Sequence, residues 1–109
     1  MQCWLAMAHN GSMLGLWIVR DSAGQALLAK VRDELYVLAF GSAARAVRAR
    51  EALGAGGAPF LIVAANVHGV VASLRADGAR GFIVDYDPEL ARFASAHPLP
   101  SPTMVSARV

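Results

Sequence analysis

Val67, Val70, Val71 and Leu74 fall at i, i+3, i+4 and i+7, and only polar or small residues stand between them. That spacing lines four apolar side chains along one stripe of a helix. Asn66 stands where an N-cap belongs, and Asp77-Gly78 where a helix stops. Gly69 weakens this helix without breaking its pattern. A second helical stretch, SAARAVRAREAL, starts at Ser42, whose hydroxyl suits an N-cap, and stops at Gly54. Its apolar side is weak, mostly Ala43, Ala46, Val47 and Leu53, and Arg50 projects toward it. Arg50 there either snorkels past the core edge or reaches an acidic partner.

The remaining apolar runs are short and read as strands. LGLWIVRD (14–21) and QALLAKVRD (25–33) flank turn residues at 21–24 and predict an N-terminal hairpin. ELYVLAF (34–40) is almost wholly apolar, as a central strand would be. PFLIVAA (59–65) and GFIVDY (81–86) read as buried strands, and PELARFASA (88–96) as a last short helix. The order is β-β-β-α-β-α-β-α. The helix-then-strand units favour parallel pairing with right-handed crossovers. The expected fold is therefore α/β (α+β): one mixed sheet, an N-terminal hairpin followed by β-α-β-α-β-α, and helices packed on the sheet. The domain is expected over 13–97, with an extension over 1–12 and a tail over 98–109. Met13 could itself be the natural start.

Composition narrows the function more than it names one. A chain of 109 residues fits one domain. With 56% hydrophobic and 17% charged residues, it is too apolar for disorder. It also carries more apolar surface than a small monomer hides, which predicts a homodimer or another protein partner. The net charge is only +2. Arg45, Arg48 and Arg50 form the one dense basic cluster, but Glu51 follows directly and no aromatic residues are interleaved. This argues against nucleic acid as the partner. Cys3 is the single cysteine, so no internal disulfide and no cysteine-based zinc site is expected. The stretch before Arg20 is uncharged, lacks a basic signal-peptide start and is broken by His9, Asn10, Gly11 and Ser12. No membrane span and a cytoplasmic location are expected.

Two segments, LYVLAFGS (35–42) and ARGFIVDYDPEL (79–90), resemble the SseB-type N-terminal domain and related small bacterial domains of unknown function. The resemblance covers about residues 14–97. Gly41 stands where that group usually has Thr, and Asp87-Pro88 where it usually has Asn-Pro. The resemblance implies a bacterial, non-enzymatic protein-interaction module and supplies no catalytic residues.

Each candidate constellation has a plainer reading beside it. Asp85, Asp87 and Glu89 are three carboxylates in five residues. They suggest a hard-cation site or an acid–base pair. Asp87 before Pro88, with Glu89 after it, is more economically a helix start. Asp85 stays open, because it ends a strand where ligand sites of parallel sheets form. His68 and Arg75 share a side and suggest an anion site, or only a solvated flank. GAGGAP (54–59) follows a helix and precedes a strand, the wrong order for a phosphate loop. FGSAAR (40–45) has the right order but one glycine. No serine sits in a nucleophile motif.

The leading expectation is a small non-enzymatic protein-interaction module acting as a homo-oligomer, with Trp4 and Trp17 as interface candidates. It has no catalytic residues, no metal and no cofactor. The alternative is a small-molecule or anion binder, or an unrecognised enzyme. Its site would lie at the C-terminal ends of the strands, drawing on Ser42, Asn66, His68 and Asp85.

Overall fold

Alternation governs the strand at the centre of the sheet. β3, Glu34–Phe40, ends in four consecutive buried residues. Val37 and Ala39 join the apolar cluster on one face, and Leu38 and Phe40 the cluster on the other. A strand buried on both sides must be apolar on both sides, which is why ELYVLAF shows no polar alternation. The structure, a computed structural model, describes residues 12–100. Cys3 and Trp4 lie outside the described residues, as does the tail beyond Pro100.

Among the described residues, one mixed sheet of six strands carries two helices. The other strands are β1 (Trp17–Arg20), β2 (Leu28–Val31), β4 (Ala58–Leu61), β5 (Ala79–Val84) and β6 (Ser95–Pro98). The helices are α1 (Ala43–Ala52) and α2 (Val67–Ala76). The strand order is β4-β1-β3-β5-β6, and β2 also pairs with β3. β3 and β5 run parallel; the other pairs are antiparallel.

The chain leaves β3 for β4 through α1, then crosses back to β5 through α2. The two crossovers travel in opposite directions across the sheet. Crossovers of the same hand must then lie on opposite faces, and they do. Val70, Val71 and Leu74 of α2 pack with Ile18, Val37 and Phe82. Ala46 and Ala49 of α1 pack with Val19, Leu38 and Ile83. Burying each large aliphatic side chain contributes about 1.5–3 kcal/mol, so the α2 stripe read from spacing is the stronger anchor.

The hairpin is arranged differently from its sequence reading. β1 meets the start of the next segment only at Arg20↔Ala26. The regular hairpin is β2–β3, turned by Arg32 (φ 53) and Asp33 (φ 69). Two left-handed residues in a two-residue loop match the twist of the strands they join.

The helix expected over 88–96 is not formed. Asp87 therefore caps no helix and instead fixes a turn: its Oδ1 accepts from Glu89 N at 3.0 Å and Leu90 N at 3.4 Å. The turn then closes, with Ala91 at φ 55 and an antiparallel bridge Asp87↔Arg92. The chain returns along β5 as β6. A nine-residue helix offers only Leu90, Phe93 and Ala94 for burial, and short helices are marginal without packing. Pairing with β5 satisfies more backbone groups. β6 is further held by a stack of His97 on Phe82, with ring centroids 5.0 Å apart. Leu99, just after it, is buried in the α2-side cluster.

Gly81 makes the β5–β6 approach possible. It lies opposite Pro98, and a Cβ there would run into the carbonyl of His97. Gly81→Ala is expected to cost about 1–3 kcal/mol through overpacking. Urea denaturation measures this, and an unchanged midpoint would contradict the packing.

Candidate functional site

β3 and β5 end side by side, and their loops leave in opposite directions, toward α1 and toward β6. This is the crevice where ligand sites of open sheets form. Asp85, the residue after β5, sits there with φ 56. The left-handed conformation is uncommon outside glycine but tolerated by Asp. It turns the carboxylate back across the strand ends. Oδ1 accepts from Gly41 N at 2.9 Å, and Oδ2 accepts from Arg45 Nη1 at 2.8 Å. Asp85 N itself donates to Ala39 O at 2.7 Å, extending the β3–β5 ladder.

Ser42 shares this corner. It caps α1, its hydroxyl accepting from Arg45 N at 3.2 Å. The free N–H groups at a helix start attract an anion. Here the chain's own carboxylate, Asp85, fills the position next to them. The Arg45 side chain is 63% exposed, so its ion pair contributes under about 1 kcal/mol. The bond to Gly41 is the structural latch. A cavity of about 540 Å³ opens beside it, lined by Phe40, Arg48, Tyr86, Asp87 and Glu89 among others.

The structure brings Ser42 and Asp85 together and leaves Asn66 and His68 apart from them. Those two lie at the start of α2, on the opposite face and at the β4 side of the sheet. Asn66 was expected to cap α2 with its side chain but makes no cap bond. Its Oδ1 accepts from Val63 N at 3.0 Å and its Nδ2 donates to Leu61 O at 3.1 Å, so it pins the loop leading out of β4. His68 is exposed. Arg75 donates to Pro100 O. Gly41 and Arg45 are the partners that sequence reasoning missed. In the sequence Arg45 groups with Arg48 and Arg50, and only the adjacency of β3 and β5 connects it with Asp85.

Arg50 follows the snorkelling option. Its Nη2 lies 3.5 Å from Glu51 Oε2, while its Nε is buried with no partner among the described residues. Arg48 is exposed. Arg45 and Arg48 thus share the cavity beside Asp85, and Arg50 lies apart from it. Among the described residues, no three or more His, Cys, Asp and Glu side chains gather to hold a metal ion. No helix among them is long and apolar enough to cross a membrane.

A different surface stands out on the α1 side of the sheet. α1 packs over β1, β4 and β3. Leu27, Ala29, Val31 and Tyr36, on the same face, stay only half-buried. Trp17 is half-buried too, facing Phe40 and Leu61 as register partners in the neighbouring strands. No known protein family, curated protein or solved structure matches the chain.

Two outcomes test these assignments by denaturation. Asp85→Asn keeps an acceptor for Gly41 and a residue that tolerates φ > 0, and is expected within about 1 kcal/mol of the parent. Asp85→Ala removes the latch and strains the backbone, and is expected to cost about 1–3 kcal/mol. Equal effects of the two would contradict the latch. Arg50→Met removes an unpaired buried donor, whose presence costs about 1–3 kcal/mol. Its melting temperature should equal or exceed the parent's; a clear fall would mean that Nε has a partner.

Proposed function

We propose that the protein is a small non-enzymatic protein-interaction module that works as a homodimer in the cytoplasm. The observation that carries this reading is the half-covered sheet face: Leu27, Ala29, Val31 and Tyr36 form one apolar surface that stays only half-buried beside α1. A second copy of the chain is the occupant we favour. A face of this kind is apolar throughout its centre, so two copies meet without opposing like charges. Such a symmetric contact is the commonest form of association.

The sheet edges favour the face as the contact. β4 and β6, the ends of the strand order, each contain a proline, Pro59 and Pro98. Proline removes a backbone donor and blunts edge-to-edge pairing. β2 offers an outer edge of only four residues, one of them the exposed Lys30. The resemblance of 35–42 and 79–90 to SseB-type domains points toward the same kind of role. The alternative, a ligand site at the strand ends, has its anion position occupied by Asp85.

Size-exclusion chromatography with light scattering on the full chain tests the dimer. The expected mass is twice the 11.4 kDa of one chain. Val31→Glu and Ala29→Arg, both at half-buried positions, should weaken association about tenfold or more while leaving the circular dichroism spectrum unchanged. A parent chain that stays monomeric at micromolar concentration overturns the reading.

A further inference from the structure

We propose that the cavity between α2 and the sheet binds a small organic anion, a monocarboxylate carrying a short apolar or aromatic body. The cavity lies on the α2 side, away from the surface assigned to dimerisation, and the inference stands whether or not the chain dimerises. Its volume is about 290 Å³, near the lower end of the roughly 300–1,000 Å³ range of ligand pockets. Ile18, Ala26, Phe60, Val70 and Leu74 supply apolar walls. Space of that size and character suits a ring or a short chain.

Among the described residues, Arg20 is the one charged side chain in the lining. Its guanidinium lies over the ring of Phe60, 4.2 Å from the centroid, and its Nε donates to Gly24 O at 3.3 Å. The turn that presents this carbonyl is itself fixed, because Asp21 Oδ1 accepts from Ala23 N and Gln25 N at 2.9 Å each. Stacking and the Nε bond hold the guanidinium plane in place. Its two terminal nitrogens find no acceptor, and no carboxylate pairs with it, among the described residues. A half-buried, oriented guanidinium without an acid is a preformed receptor for a planar carboxylate, which two parallel N–H donors match. The side-chain amide in the lining, Asn66, is held to the loop after β4 by Val63 N and Leu61 O. A single guanidinium above apolar walls suits one negative charge and an apolar body better than a phosphate, which calls for several donors.

Gly69 keeps the helical wall open. It sits inside α2, where glycine is disfavoured, and a Cβ built on it meets no atom within 4 Å. A larger side chain at this position fits the helix and takes up the space beside the cavity.

The test uses the full chain, with benzoate and hexanoate as probes and benzyl alcohol and benzylamine as neutral and cationic controls. Binding is followed by amide chemical shifts. Saturable binding of at least one carboxylate is expected, with the shifts centred on Arg20, Gly24 and Gly69. Benzyl alcohol should bind at least about tenfold more weakly and benzylamine not measurably, because a charge-assisted bond accounts for about that factor. Arg20→Met should lose about tenfold or more in carboxylate affinity. Gly69→Leu, which leaves Arg20 and its stacking untouched, should abolish binding with the fold retained, and it carries the test if the arginine variant does not fold. Failure of both carboxylates to bind in the millimolar range, equal affinity for the neutral control, or unchanged affinity in the folded variants overturns the proposal.

Discussion

The parallel pairing of β3 with β5 is the contact on which the other parts of the structure depend. Two parallel neighbours cannot be joined by a tight turn, so the chain must leave the sheet and return. It does so twice, placing β4 at the far edge between the two excursions. Opposite directions of travel put one helix on each face. The same pairing sets the carboxyl ends of β3 and β5 side by side, so Asp85 can reach Gly41 and Arg45. Core, helix placement and strand-end corner all follow from one ladder.

The faces are covered unequally because the two helices differ in side-chain size. α2 presents Val70, Val71 and Leu74, while α1 buries only Ala46 and Ala49. Alanine lets a helix approach closely but spreads little apolar cover to either side. This is the physical origin of the half-buried surface at Leu27, Ala29, Val31 and Tyr36. The α2 side has the opposite character. There larger side chains hold the helix on the sheet, and glycine at position 69 leaves a gap beneath Arg20's edge of the sheet. A shallow apolar face and a small charged cavity thus arise from the composition of two ten-residue helices.

Where local pattern and tertiary structure agree, the sequence was legible. The mixed sheet, the central β3, both helices and the Ser42 cap could all be read from period and capping chemistry. The failures share one cause, namely partners distant in sequence. SAHP (95–98) has no strand signal of its own, and becomes β6 only because β5 lies beside it. Arg32-Asp33 lacks the Asn-Gly or Asp-Gly signature of its turn, so the sequence pattern places the hairpin one strand before β2–β3. Asp85 stands out in the sequence as the acid that its neighbours do not explain. Its partner Arg45 was hidden inside a basic cluster, and 40 residues separate the two. Arg20 gave no signal at all, since its position on Phe60 depends on the β1–β4 register.

The latch between Gly41 and Asp85 spans 44 residues, which has a consequence for the order of assembly. β2 and β3 can pair early, through a two-residue turn. The other side of β3, whose last four residues are buried, stays unpaired until β5 has been synthesised and α2 has folded back. Long-range pairings of this kind close late and slow the search. A nascent chain that stops short of Val84 therefore presents a bare apolar strand edge, the feature that invites mispairing with another chain. The carboxylate that follows Val84 locks the corner only once that edge is covered, making Asp85 the closing contact of the sheet's centre.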